Sequence, residues 1–324
     1  MQLGKDSALS RLSRPLLNLL SLPFKAIAFI NWKLKAVNAR SFPGQFIISV
    51  GSLSFGGSGK TPLVVAIGKA LEARGVRFAV ISRGYRSRLE KKGTRVEASH
   101  SAEEVGDEPL LLKARFPGQD VFIGRDRLRS IAAAAARNDR ILILDDGFQS
   151  SHIRKDFSIM LVNPGHPYFY LRHFRFLARR ADLVLAYRPD AAGAGPQAPG
   201  TYAFAITAFL DAGGDEREIA GDPLIAFSAL GDNERFAADM RRYRLAAFRG
   251  FADHHAFTAA DLAALEKLRR EKGAAWMVCT EKDFGKIKKI LAPGIPLLYA
   301  RNEIKLPGDA SGRIITHAEA KGFL

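Results

Sequence analysis

Two short runs hold the residue types with the clearest chemistry. Gly56-Gly-Ser-Gly-Lys-Thr-Pro62 closes a glycine-rich turn on Lys60 and Thr61, and Ile141-Leu-Ile-Leu-Asp-Asp-Gly147 closes an apolar run on Asp145 and Asp146. Glycines let successive backbone N–H groups turn toward one anion, and a helix starting there points its positive end at the same place. Gly56, Gly57, Ser58, Gly59, Lys60, Thr61 and Pro62 therefore read as a cradle for a nucleoside triphosphate. Lys60 would reach the β and γ phosphates and the Thr61 hydroxyl would ligate Mg²⁺. Adjacent carboxylates at the end of a buried strand supply the other half of such a site. Alternation along an extended chain would send Asp145 and Asp146 to opposite sides, one to the metal and the other to a neighbouring group.

These residues need strands that end at one crevice. Phe46 to Val50 reads as a buried strand entering the loop, and Leu63, Ile67, Ala70 and Leu71 recur at helical spacing beyond it. Pro62 falls in the first helical turn, where its missing N–H costs little. The strict loop pattern asks for glycine where Ser54 stands. Further strands are expected at Phe78 to Ser82, Val121 to Ile123, Ile141 to Leu144, Ser158 to Val162 and Leu183 to Ala186, with helices between them. This alternation predicts a P-loop NTPase-like α/β fold, a parallel sheet with helices on both faces. Ser82-Arg-Gly-Tyr85, Gly106-Asp-Glu-Pro109 and Gly124-Arg-Asp-Arg127 also lie where strands meet loops, the place where open α/β sheets build ligand crevices. Taken alone, Asp107 and Glu108 read as caps of a helix beginning at Pro109.

An Ala/Gly/Pro-rich stretch from Ala191 to Gly200 reads as a linker, and Tyr202 to Leu210 as an extended connection. A smaller second α/β unit follows, with strands at Leu224 to Phe227, Leu245 to Phe248, Trp276 to Cys279 and Leu297 to Tyr299. The expected division is a helical segment over 1–40, a nucleotide-binding unit over 41–190, a connection over 191–222 and the second unit over 223–324. In that unit, Phe251-Ala-Asp-His-His-Ala-Phe257 sets two histidines and an acid in a loop before a helix capped by Thr258, and Thr280-Glu-Lys-Asp283 follows a strand. Histidine beside a carboxylate suits proton transfer, whereas no third ligand or cysteine supports zinc.

The 324 residues are 47% hydrophobic with a net charge of +16, and the isoelectric point is near 10.1. Such a balance calls for an anionic partner, nucleic acid or an acidic membrane face. The basic residues are scattered and no aromatic-interleaved RNA motif appears, which argues against nucleic acid. A single cysteine, Cys279, excludes a disulfide framework. Near the N-terminus, Phe24, Ile27, Ile30, Leu34 and Val37 share one helical face within a segment rich in Lys and Arg. Prolines and lysines break any run able to span a bilayer or serve as a cleaved signal peptide. The segment reads as an amphipathic helix lying in an anionic membrane interface.

In order and spacing these motifs, together with Asp145-Asp-Gly-Phe-Gln149, Asn233-Glu-Arg-Phe236 and Asp253-His-His255, resemble the tetraacyldisaccharide 4′-kinase family from about Pro15 to Leu291. The resemblance implies an inner-membrane enzyme of lipid A biosynthesis, peripheral on the cytoplasmic face. It would transfer the γ-phosphate of ATP, with Mg²⁺, to the 4′-hydroxyl of tetraacyldisaccharide 1-phosphate, with no obligate protein partner. By that likeness Asp107 accepts the hydroxyl proton, assisted by His254 in preference to His255. Asp145 and Asp146 organise Mg²⁺, Lys60 holds the phosphates, Thr61 the metal, and the two units close over the nucleotide. The chain departs from the family pattern at Ser150, where histidine is usual. It departs again at Asn163-Pro-Gly-His-Pro-Tyr-Phe-Tyr-Leu-Arg172, which keeps only the Leu-Arg pair of a segment that ends Leu-Arg-Glu. Both changes bear on the acceptor before they bear on ATP use. The competing expectations are a kinase of the same fold acting on a variant glycolipid, and a P-loop switch ATPase or GTPase with no sugar acceptor.

Overall fold

The computed structural model describes residues 8–54, 59–188, 200–219, 221–253, 255–306 and 308–324. The first half runs through helix α1 (Ala8–Val37), strand β1 (Phe46–Ser52), α2 (Lys60–Glu72), β2 (Phe78–Ser82), β3 (Thr94–Arg95), α3 (Ala102–Val105), α4 (Asp107–Arg115), β4 (Asp120–Ile123), α5 (Arg127–Ala135), β5 (Ile141–Leu144), β6 (Phe157–Val162) and β7 (Leu183–Tyr187). After β8 (Thr201–Leu210) come β9 (Leu224–Ser228), α6 (Asn233–Met240), β10 (Leu245–Gly250), α7 (Ala259–Glu271), β11 (Trp276–Thr280), α8 (Glu281–Ile287), β12 (Leu297–Lys305) and α9 (Gly308–Ala320). The expected linker lies outside the described residues except for Gly200.

The strands form one sheet in the order β10-β9-β11-β12-β8-β7-β6-β1-β5-β2-β4-β3. Its pairings are parallel except β12 with β8 and the short edge β3 with β4. The central strands β1, β2 and β5 are buried along their whole length and mostly apolar, because both faces are covered. Phe46, Ile48, Val80, Ile141 and Ile143 point into one core and Ile47, Ala79, Ile81, Leu142 and Leu144 into the other. The second half repeats this alternation, with Ile225, Phe227, Met277 and Cys279 on one side and Leu224, Ala226 and Val278 on the other.

β8 carries the chain out of the first half, and its antiparallel partner β12 carries it back. The register runs from Tyr299 opposite Leu210 to Lys305 opposite Ala203. α9 therefore packs within the first half's core through Ala310, Ile314 and Ala318, beside Phe46.

α1 lies on the surface and docks by one face. The Trp32 Nε1–H donates to the Phe148 carbonyl (3.3 Å), Ser151 Oγ donates to the Trp32 carbonyl (2.7 Å), and the Phe169 amide donates to Asn18 Oδ1 (2.8 Å). The buried Lys25 donates to Ser21 Oγ (2.6 Å), and its ammonium sits 4.2 Å from the centre of the Tyr168 ring. Burial pulls its pKa below the ordinary lysine value. The opposite face leaves Phe24 (53%), Ile27 (68%), Ile30 (57%), Leu34 (67%) and Val37 (79%) open to solvent. These are the residues grouped by helical spacing in the sequence, so the stripe is not the one that packs on the protein. Among the described residues no helix is long and apolar enough to cross a membrane.

Candidate active site

The phosphate loop connects β1 to α2. Gly56, Gly57 and Ser58 lie outside the described residues. Gly59 caps α2 in the left-handed region (φ 83°), and a Cβ there would meet the Phe204 ring of β8 at 2.3 Å, so only glycine fits. Ser54, where the strict pattern has glycine, is buried and bridges to Leu171. Lys60, Thr61 and Pro62 open α2, so the helix aims its N-terminus into the crevice. Lys60 Nζ stands 3.8 Å from Asp146 Oδ1.

β5 delivers the two acids, but they diverge by a turn and not by strand alternation. The strand ends at Leu144, and Asp146 takes a left-handed conformation (φ 50°) that swings its side chain toward Lys60. Asp145 stays buried, accepting from Ser82 Oγ through Oδ2 (3.2 Å), while its Oδ1 has no hydrogen-bond partner. Burial, then the Glu108 and Asp146 charges, push the Asp145 carboxyl up to about 7. Asp146 goes the other way: burial opposes ionisation, but Lys60, Arg172 and Arg127 outweigh it and hold the pKa below the ordinary carboxylate value.

Two arginines give this turn its shape. Arg127, the last residue of the Gly124-Arg-Asp-Arg127 cluster, is buried at the start of α5. It donates to the carbonyls of Asp145 (2.7 Å) and Asp146 (2.8 Å) and to Ser150 Oγ (3.1 Å). Ser150 thus serves the Arg127 clamp, and its carbonyl accepts from Lys155 Nζ at 2.7 Å. Arg172 Nη1 donates to Asp146 Oδ2 at 2.9 Å, and its amide donates to the Leu53 carbonyl of the phosphate loop at 2.7 Å. The end of the altered 163–172 segment is therefore stitched to the loop itself.

Across the crevice, α4 starts at Asp107, two residues earlier than expected, with Gly106 as its cap. Asp107 and Glu108 sit in the first turn and not at the cap. Asp107 lies 3.4 Å from Lys286 and Glu108 lies 3.7 Å from Lys282, both on α8 of the second half. α8 is fixed by the Thr280-Glu-Lys-Asp283 motif: Thr280 caps it, and the buried Asp283 accepts from Thr280 Oγ1 (2.7 Å) and the Ala229 amide (3.0 Å). Asn233 of the Asn-Glu-Arg-Phe motif has a similar duty. It accepts from Ser228 Oγ (2.6 Å) and donates to the Phe251 carbonyl (2.7 Å), which holds the loop carrying Asp253.

His254 lies outside the described residues. Its neighbour His255 is engaged with the cap of α7, Nε2 standing 3.1 Å from Asp261 Oδ2 and the ring stacked on Phe251 at 4.8 Å. Thr258 caps that helix as expected, in a reciprocal box with Asp261.

Lys60, Thr61, Asp107, Asp145, Asp146, Arg172, Asp253 and Lys286 all line one cleft of about 1250 Å³ between the two halves. The spacing of motifs in the sequence did not signal Arg172 or Lys286, since neither belongs to the phosphate chemistry by type and position alone. The donor set suits a hard divalent cation: a hydroxyl from Thr61 and the unpartnered buried oxygen of Asp145. Among the described residues no group of three or more His, Cys, Asp or Glu could hold a metal, so a cation here would rely on phosphate oxygens and water as well.

A sequence profile of the family described as tetraacyldisaccharide-1-P 4'-kinase matches residues 13–318. The tetraacyldisaccharide 4'-kinase of Geobacter metallireducens is 36% identical over 323 residues, covering 90% of this chain and 94% of that one. The enzyme of the same name from Methylobacterium nodulans is 37% identical over 251 residues, 73% of each chain. Among solved structures, LpxK from Aquifex aeolicus in complex with ATP superposes with a TM-score of 0.74 at 25% identity, covering 95% of this chain and 99% of that one.

Proposed function

The chain belongs to the tetraacyldisaccharide-1-P 4'-kinase family, and from that premise we propose that it transfers the γ-phosphate of ATP to the 4′-hydroxyl of a tetraacylated glucosamine disaccharide 1-phosphate. The observation that carries the reading is the single cleft shared by the phosphate lysine, the two β5 acids and Asp107. A phosphate-binding turn alone would serve any nucleotide switch. A carboxylate facing it from another helix gives an acceptor hydroxyl somewhere to leave its proton.

In the proposed reaction Lys60 and the α2 N-terminus hold the β and γ phosphates, and Thr61 and Asp145 would hold Mg²⁺. The metal supplies charge neutralisation on the phosphate oxygens. Asp107 takes the proton of the 4′-hydroxyl as its oxygen bonds to the γ phosphorus, and the bond from that phosphorus to the β-phosphate oxygen breaks to release ADP. Lys286 keeps the Asp107 carboxylate at the mouth of α4. His254 would assist, since His255 is held by Asp261. Phosphoryl transfer needs alignment and charge more than covalent help, and this set supplies both.

Residues 41–190, with α9 packed into their core, would act as the nucleotide-binding unit, and the rest of residues 223–324 as the unit that closes over it. The acceptor is a lipid, which fits the exposed apolar stripe of α1 and the charge of +16. α1 would lie in the cytoplasmic face of a bacterial inner membrane, drawn to its anionic lipids.

The test is an assay of the purified protein with ATP, Mg²⁺ and tetraacyldisaccharide 1-phosphate in detergent. The expected product carries a new 4′-phosphate, and Asp107→Ala lowers kcat by about 10²–10⁴-fold while ATP binding persists. Phosphate release from ATP with no phosphorylated lipid would identify a switch ATPase instead.

A further inference from the structure

α1 touches the catalytic turn directly. The Trp32 side chain donates to the carbonyl of Phe148, its own carbonyl accepts from Ser151, and its indole stacks on the Phe148 ring with centroids 6.0 Å apart and planes at 23°. Phe148 is two residues beyond Asp146, and the turn between them has no slack. A Cβ on Gly51 would meet Phe148 Cβ at 2.5 Å, and one on Gly147 would meet Ser49 Oγ at 2.6 Å. The far side of Phe148 meets the buried His173 ring edge-on at 5.8 Å, and His173 follows Arg172, the partner of Asp146. A displacement of Trp32 therefore reaches Asp146 by two routes, along the turn and through the aromatic contact to Arg172. The same helix presents the exposed apolar stripe on its other side.

We propose that Trp32 is a positioning residue, which ties the seating of α1 to the placement of Asp146 beside Lys60. Packed contacts of this kind move together because a dense interior does not absorb small shifts. The consequence is that nucleotide bound at Lys60 and Asp146 is felt at Trp32, and that loss of Trp32 disturbs turnover before it disturbs lipid capture. The kinetic part rests on the kinase reading above; the physical coupling does not.

The chain has two tryptophans, Trp32 and Trp276. Trp276 lies on β11, where it donates to Asp222, so Trp276→Phe leaves Trp32 as the sole indole. In that variant, addition of a non-hydrolysable ATP analogue with Mg²⁺ is expected to change the Trp32 emission, and Phe148→Leu in the same background removes the change while the analogue still binds. In the assay, Trp32→Ala is expected to lower kcat about tenfold with KM for the lipid nearly constant, and Trp32→Phe, which keeps the stack, recovers part of it. An emission blind to the analogue, or a response that survives Phe148→Leu, overturns the proposal. So does a Trp32→Ala variant whose KM rises with kcat unchanged, because that marks a simple lipid anchor. If Trp32→Ala fails to fold, the emission measurement decides alone. If wild-type protein makes no product, the kinase reading falls while the emission still tests the coupling.

Discussion

Strand β5 has acids at both of its ends, and the two ends do different work. At its start, Asp139 pairs with Arg77 at 2.8 Å, while Asp120 on β4, on the far side of β2, takes Arg95 (2.7 Å), Arg137 (2.6 Å) and Arg77 (3.4 Å). At its finish, Asp145 and Asp146 meet Ser82, Lys60 and Arg172. The titration patterns are alike: burial raises Asp139 and, despite burial, the arginines lower Asp120, just as Asp145 rises and Asp146 falls. What differs is where the guanidinium groups go. At the start they bond the carboxylates and run outward to solvent. At the finish the buried Arg127 bonds backbone carbonyls, and although Arg172 bonds the Asp146 carboxylate, both acids still face the cleft. Asp139 also keeps one oxygen unbonded, but it does not line the cleft that holds Lys60 and Asp107. A perturbed carboxylate therefore signals chemistry only when it also faces a cleft that a ligand can enter.

The hardest test of this contrast is to neutralise one acid at each end. Asp146→Asn removes the group that aligns Lys60 and Arg172, and kcat is expected to fall by about 10²-fold or more, whereas Asp120→Asn leaves kcat unchanged. Equal losses in the two variants would erase the distinction.

A pH series sharpens it further. With its pKa near 7, Asp145 carries a proton below neutrality, and a metal ion must displace it. Mg²⁺-dependent nucleotide affinity, measured by calorimetry, is expected to weaken by about tenfold per pH unit below pH 6 and to level off above pH 8. The folded chain holds this proton more tightly than the unfolded one. The group's contribution to stability is accordingly full below its ordinary value of 3.8 and is lost as pH rises through about 7. Asp145→Asn should flatten both dependences.

The smallest effect belongs to the other end. Asp120→Asn takes one carboxylate from three arginines that are 36–57% exposed and can turn to water, of which Arg77 keeps Asp139 and Arg95 keeps Glu97, so the expected cost is about 1–3 kcal/mol in urea unfolding. No change at all would mean that the cluster is ornamental.

Much of this was legible in the chain. Apolar runs with the spacing of Phe46 to Val50 or Ile141 to Leu144 are buried on both faces and have few other ways to fold, so the strands and the crevice at their ends follow from local pattern. The edge strand β3 did not, because two residues have no period. Nor did the return of α9 to the first half, which depends on the antiparallel pairing of β8 with β12 and on nothing local to α9. In the site, Lys60 and the β5 acids announce themselves by type and place. Their divergence was expected for the wrong reason: strand alternation suggested it, and a left-handed residue held by Arg127 produces it. Lys286 facing Asp107 is a meeting of two helices far apart in sequence, and no spacing rule reaches it.

The contact between Gly59 and Phe204 bears on how such a site can be moved. The ring filling the space beside the last loop glycine comes from β8, a strand that lies beyond the first half's own chain. A fragment cut before β8 would keep every residue of the phosphate motif and lack the wall that shapes it. The motif is thus not a transferable cassette: anyone grafting residues 46–72 onto another sheet must bring a ring from elsewhere, and a duplication of the first half alone would not yield a second working nucleotide pocket.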